Sequence, residues 1–359
     1  MPSWHCARCT DEARTLTSFA AARGGASAFW GGPAALMGAL RNLTISQQIG
    51  LLFVALFGIL VVVTVIAFSR TLRDRSDAEL VFHERLKRDL RAVWIGAVMF
   101  WVAWVAGGIV STLLFGLMSF LALREFVTLT HTRRGDHRSL LLAFFAVLPL
   151  QYAIVASRQF DLFTVFIPVY VFLAIPVVSA LGNDPQRFLE RTAKIQWGIM
   201  VCVYGMSHAP ALLLLDLPDY RERGAFLVLY LVIVVAVAQI VQNAASHRLR
   251  RRPVARAISR SFSWRAWGIG ALAAALAGGL LYWSTPFKSP WGAIVMGLIA
   301  GGSGTLGEFV MHALKRDAGV RSWGGKASVT GAVGLLDRVA PLCFAAPVFF
   351  HSVRWYFGF

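Results

Sequence analysis

The sequence predicts an all-α integral membrane protein with about ten transmembrane helices. Three observations carry this. Of 359 residues, 57% are hydrophobic and only 15% charged, and the mean hydropathy is +0.63; a soluble domain of this length seldom carries so little charge. Apolar runs recur at close to the roughly 20 residues that cross a hydrocarbon core. Basic residues gather in alternate loops between those runs.

Taken in order, residues 1–44 are small, polar and without period, and read as a poorly ordered tail ahead of a membrane domain spanning 45–359. No basic stretch leads directly into an apolar one there, so a cleavable signal peptide is not expected. Cys6 and Cys9 form a lone pair; a structural zinc site needs about four ligands, and no second pair exists. Cys202 and Cys343 lie inside apolar runs and read as core residues. The expected spans are 49–68, 92–107, 109–123, 139–156, 162–181, 197–215, 225–242, 267–283, 291–311 and 339–356. The stretch "SDAELVFHERLKRDLR" (76–91) has mixed charge and an amphipathic pattern, which suits a helix lying at the interface.

Splitting 92–123 at Gly107-Gly108 is justified by charge. The loops 69–91, 124–138, 182–196, 243–266 and 312–338 hold 26 of the 35 Lys and Arg residues. Ten spans place all five loops on one side; nine would put basic loops on both. The positive-inside rule makes that side cytoplasmic and leaves both termini outside. A net charge of +17 then points to an anionic leaflet or phosphate-bearing ligands, with no nucleic acid. The run "HRLRRRP" (247–253) reads as a topology and headgroup determinant.

The loop 312–338 asks for more than topology. It holds Lys315, Arg316, Arg321, Lys326, Arg338 and five glycines, but only two acids, Asp317 and Asp337. Glycine is used where backbone turns tightly or approaches a ligand. The order Lys315-Arg316, then Gly331, Gly334, Asp337 and Arg338, resembles the signature of the phosphatidate cytidylyltransferases (CDP-diacylglycerol synthases). "REFVTLTHTRRGDHR" (124–138), "FLERTAKIQWGIMVCVYGMSHAPALLLL" (188–215) and "CFAAPVFFH" (343–351) are similar to a bacterial subgroup of that family. The resemblance covers roughly residues 45–356.

The resemblance implies a reaction joining phosphatidate to CTP, giving CDP-diacylglycerol and pyrophosphate, in the bacterial inner membrane as part of phospholipid synthesis. It implies Asp337 and Lys315 as catalytic residues, Asp337 as a ligand of Mg²⁺, and Arg316, Arg338, Gly331, Gly334 and Ser259 as substrate-binding. A homodimer is left open. The chemistry suits the loop: Lys and Arg grip phosphates, glycines let backbone N–H groups approach them, and carboxylates hold a hard cation.

The sequence departs from the family pattern in one direction. In the signature, the usual Ser is His312, a Lys-Asp pair is Arg321-Ser322, His-Gly-Gly is Ala332-Val333-Gly334, and the closing Asp is Ala340. In the upstream motif Gln242 and Ser259 remain, but an Asp is Gln239, a Lys is Phe262, a Glu is Arg265 and a Gly is Ala266. Four family carboxylates are thereby neutral or cationic, while the phosphate-gripping cations survive. Two functions are therefore expected in competition: a cytidylyltransferase of reduced or lost activity, and an inactive paralogue that binds phosphatidate or nucleotide or regulates lipid synthesis. Whether Glu308 stands in for a lost ligand is left open. A transporter is disfavoured because charges lie almost wholly in loops. Arg124-Glu125 reads as an ion pair or headgroup contact. Ser207-His208 sits in an apolar run, where a polar group is either functional or bonds a carbonyl released by Pro210.

Overall fold

The computed structural model describes residues 38–40, 42–71, 77–130, 132–217, 223–249, 254–259, 262–319 and 334–358. The chain divides into two units, 1–90 and 91–359. In the first, α1 (Ile45–Thr71) starts at a reciprocal cap. Thr44 N–H donates to Gln47 Oε1 at 3.1 Å and Gln47 N–H to Thr44 Oγ1 at 3.4 Å, the pattern that satisfies two orphan donors at a helix start. The helix is apolar on every side, as a lipid-embedded helix is.

The regular structure described in the second unit is helical. α2 (Asp77–Leu129) enters from the first unit and breaks at Gly107, whose φ of 86° and ψ of 177° leave helical geometry. α3 (Arg134–Ala156), α4 (Phe160–Ala180) and α5 (Phe188–Leu214) follow, then α6 (Gly224–Leu249), α7 (Trp264–Leu280), α8 (Pro290–Asp317) and α9 (Leu335–Phe357). Among the described residues no strand occurs, and the protein is an all-α, polytopic membrane protein. Among the described residues, seven helices are long and apolar enough to cross a membrane. The other three expected spans are also helical: 92–107 precedes the break in α2, 267–283 falls largely on the 17-residue α7, and 339–356 lies in the 23-residue α9. Of the stretch 76–91, residues 77–91 form the start of α2 rather than a separate helix, and Ser76 lies outside the described residues.

The core lies between the second half of α2 and α3, α4, α5, α8 and α9, around Phe126, Ile199, Cys202, Met206, Leu336 and Cys343. Both of these cysteines are free and buried. α3, α4 and α5 each widen into a π-helical stretch, at Ala143–Val147, Phe166–Val171 and Ile199–Gly205. Pro168 and Pro210 lie in or after two of these, where missing N–H groups disturb the regular ladder. Gly205 lets α5 close on α9: a Cβ there would collide with the Cys343 carbonyl.

The loops sort to two ends. At one end Glu125 of α2 meets the start of α9, and Arg133 ahead of α3 bonds Gln186 ahead of α5 at 2.7 Å. At the other, Arg158 pairs with Asp216, Arg354 with Asp161 at 3.1 Å, and Lys288 N–H donates to the Tyr356 hydroxyl at 3.4 Å. The end of α2, the segment between α4 and α5 and the start of α9 thus lie at one end.

Candidate functional site

α8 ends with Lys315 and Arg316 in its last turn, and α9 begins after Gly334, whose φ of 76° is a left-handed conformation natural to glycine. The two helix ends bring Lys315 Nζ to 2.5 Å from Asp337 Oδ1. Lys315 is buried, Asp337 half-buried. Arg316 and Arg338, each adjacent in sequence to one member of this pair, are exposed. Gly331, Arg321, Ser322 and Lys326 lie outside the described residues.

Glu125 takes part in a way the sequence did not suggest. It is buried, with 4% of its surface exposed, and its Oε2 accepts the N–H of Leu335 at 3.0 Å. The amides of Gly334 and Leu336 also face it. A helix start presents unsatisfied N–H groups and partial positive charge, so a carboxylate there is favourable. Glu125 therefore caps α9 instead of meeting a lipid headgroup or forming an ion pair. The cap also places an internal anion where backbone amides were expected to meet substrate phosphate.

A second carboxylate lies close by. Glu308, His312 and Lys315 follow one face of α8 at helical spacing. Glu308 Oε2 accepts from Gln239 Nε2 of α6 at 3.0 Å, and its Oε1 stands 3.8 Å from His312 Nε2. Gln239 and His312 are two of the positions where the family pattern has Asp and Ser. The signal that identifies Glu308 is this spacing from Lys315, read together with the Gln239 substitution.

The upstream motif reaches the same part of α8. Phe262, where the family has Lys, is buried and stacks on Phe309 with ring centres 4.2 Å apart. Ser259 is buried in the preceding turn, its N–H donating to the Ala255 carbonyl at 2.9 Å. Gln242 is buried with an Oε1 that has no hydrogen-bond partner. Arg265 is exposed, and Ala340 is packed in the core. Among the described residues, no group of three or more His, Cys, Asp or Glu side chains is placed to hold a metal ion.

A separate polar knot fixes the loops at this end. Arg191, nearly buried, reaches Asp136 at 3.3 Å and Asp184 at 2.5 Å, and also donates to the Asp184 carbonyl at 2.8 Å. Asp136 in turn accepts the Arg133 N–H at 2.9 Å. The hydrogen bond from Arg191 holds the Asp184 carboxyl below its usual range.

Known proteins match this chain over the same region. The sequence profile of the cytidylyltransferase family matches residues 86–356. The uncharacterized protein YnbB of Escherichia coli (strain K12) is 35% identical over 269 residues, covering 73% of this chain and 85% of that protein. Matched from the early turns of α2 to the end of α9, with Lys315 and Asp337 side by side, the chain belongs to the cytidylyltransferase family.

Proposed function

We propose that the protein is a phosphatidate cytidylyltransferase-like protein of the bacterial inner membrane whose turnover is reduced or lost while its affinity for phosphate-bearing ligands persists. The observation that carries this reading is the 2.5 Å pair of Lys315 and Asp337. In the reaction, a phosphate oxygen of phosphatidate would attack the α-phosphorus of CTP, the bond to the β-phosphate would break, and pyrophosphate would leave. Both reactants are anions, so the site must offset their repulsion.

Mg²⁺ is what the family resemblance implies, and the donor set does not fit it. A magnesium ion asks for near-octahedral oxygen ligands. Asp337 is held by Lys315, Glu308 accepts from Gln239, and Glu125 is taken up in capping α9. Arg316, Arg338 and Arg265 are exposed cations that can attract phosphates, and Lys315 adds its charge from within the pair with Asp337, but a guanidinium or ammonium stabilises charge without coordinating an attacking oxygen.

A second reading, an inactive paralogue that binds phosphatidate or nucleotide or regulates lipid synthesis, is favoured by the neutral Gln239 and Ala340. Formation of CDP-diacylglycerol by the purified protein in mixed micelles, with and without Mg²⁺, separates the two. Slow but measurable product above a protein-free control supports residual catalysis. Binding of phosphatidate or CTP without product supports the paralogue. Turnover equal to that of a family member with all four carboxylates, abolished by Asp337→Ala, would overturn both.

A further inference from the structure

The end of the bundle remote from Asp337 carries polar groups that the reading above does not use. His208 follows the widened turn of α5 and is completely buried. Its Nδ1 is 2.7 Å from the Tyr204 carbonyl oxygen. A carbonyl only accepts, so Nδ1 carries the proton and Nε2 the lone pair. That Nε2 is buried and has no hydrogen-bond partner among the described residues. The carbonyl is not the one released by Pro210, which would be that of Met206, so the proline does not account for this histidine.

The surroundings of the ring are specific. Phe163 and Phe350 stand 4.6 and 5.2 Å from it, centre to centre, and exclude bulk water. Facing it across the same space is His351 of α9, ring centres 5.4 Å apart. The Tyr204 hydroxyl is 3.5 Å from His351 Nε2. His351 is exposed on α9. An acceptor nitrogen buried in an apolar membrane span with no partner is costly, and intramembrane polar groups mark functional sites.

We propose that His208 and His351, with the Tyr204 hydroxyl as third donor, bind a transition-metal ion of the zinc class. Metal–nitrogen bonds of about 2.0–2.1 Å place two imidazoles on one tetrahedral ion with ring centres roughly 5–6 Å apart, which the 5.4 Å separation meets. Donor atoms on such an ion lie roughly 3.3–3.5 Å apart, as the tyrosine oxygen and His351 Nε2 do. A metal-bound histidine characteristically donates its other ring N–H to a carbonyl or carboxylate, fixing tautomer and orientation, and His208 is already held in that way. Imidazole selects zinc, copper or nickel over magnesium and calcium. Two histidines and one phenol leave a coordination position open.

The test uses untagged full-length protein in detergent micelles, with Cys6 and Cys9 replaced by Ser to remove the other candidate metal ligands. It is equilibrated with Zn²⁺ or Co²⁺, and bound metal is measured by mass spectrometry and by the visible absorption of Co²⁺. One equivalent should bind. His351→Ala, on an exposed side chain, should weaken binding by at least about tenfold, as should His208→Ala. Tyr204→Phe should weaken it less and shift the Co²⁺ spectrum. His137→Ala, an exposed histidine elsewhere, should change nothing. Absence of bound metal, or equal binding by the His351→Ala protein and its parent, would overturn the proposal. So would a water molecule resolved on His208 Nε2 in protein prepared with zinc. None of these readouts depends on cytidylyl transfer.

Discussion

The N–H of Leu335 donates to the Glu125 carboxylate at 3.0 Å, joining positions 210 residues apart. Through it the end of α2 holds the first turn of α9, and so the place of Asp337. Glu125→Ala should cost about 1–3 kcal/mol of stability, the usual penalty for a buried group deprived of its partner. Glu125→Gln keeps an acceptor and should cost less than about 1 kcal/mol. Denaturant unfolding in mixed micelles measures both. Equal losses would show that the carboxylate does not act as a cap.

Asp337→Asn removes the charge that neutralises Lys315 and should therefore tighten binding of CTP or phosphatidate, with weak dependence on Mg²⁺. A metal-dependent site would give the opposite, because its ligand would be lost. Isothermal titration with and without Mg²⁺ distinguishes them. The same change should lower stability by roughly 1–3 kcal/mol, less than for a fully buried pair because Asp337 is partly exposed.

Gln239→Asp restores one family carboxylate and places it against Glu308. Two like charges at such a distance should cost about 1–3 kcal/mol without divalent cation. Added Mg²⁺ should recover much of that loss, so stability becomes metal-dependent. Turnover should hardly change, since residues of one site act as a unit. Thermal unfolding across a Mg²⁺ series is the measurement; a variant as stable as its parent without the ion would contradict the Gln239–Glu308 contact.

The Arg191 knot predicts an acid limb. Asp184's carboxyl is held below its ordinary value of 3.8 by the hydrogen bond from Arg191. A depressed folded-state pKa gives stability that is present above 3.8 and withdrawn as pH falls through the lowered value. The unfolding midpoint should drop on the acid side of pH 3.8, and Arg191→Met should flatten that limb. An unchanged acid profile in Arg191→Met would remove Asp184 as its source.

Reporter fusions at Arg70, Arg134 and Arg251 should all report the cytoplasm, since each lies in one of the loops that hold 26 of the 35 basic residues. Opposite reports from Arg134 and Arg251 would exclude the ten-span arrangement.

The helices were legible because a membrane span must be long, apolar and internally hydrogen-bonded. Even the break in α2 could be read, because Gly107-Gly108 separates halves that the charge partition sends in opposite directions. Lys315 and Asp337 were legible as a spaced pair. Glu125 was not: its partner is a backbone amide, which has no letter in the sequence, 210 residues further along the chain. The Gln239–Glu308 bond depends on how α6 lies against α8, and uniformly apolar helices give no periodic clue to which face meets which neighbour. The same limit hid Arg191, whose two aspartates come from loops separated by whole helices.

The widened turn Ile199–Gly205 has a consequence for the phase of α5. A π-bulge accommodates one extra residue without lengthening the strand of packed neighbours, and one residue corresponds to about 100° of rotation. The segments before and after it are therefore two helices sharing an axis but set at different angles. The first turns Ile195 and Ile199 toward the core; the second turns Gly205 to Cys343 and His208 toward His351. Deleting a single residue within 199–205 would remove the bulge and leave both faces in place, but winding all of these residues at the regular pitch would swing everything beyond by that angle. Gly205 would leave the crossing and a bulkier side chain would arrive against the carbonyl of Cys343. The turn thus behaves as an indexing joint, by which one continuous helix addresses two differently oriented neighbours.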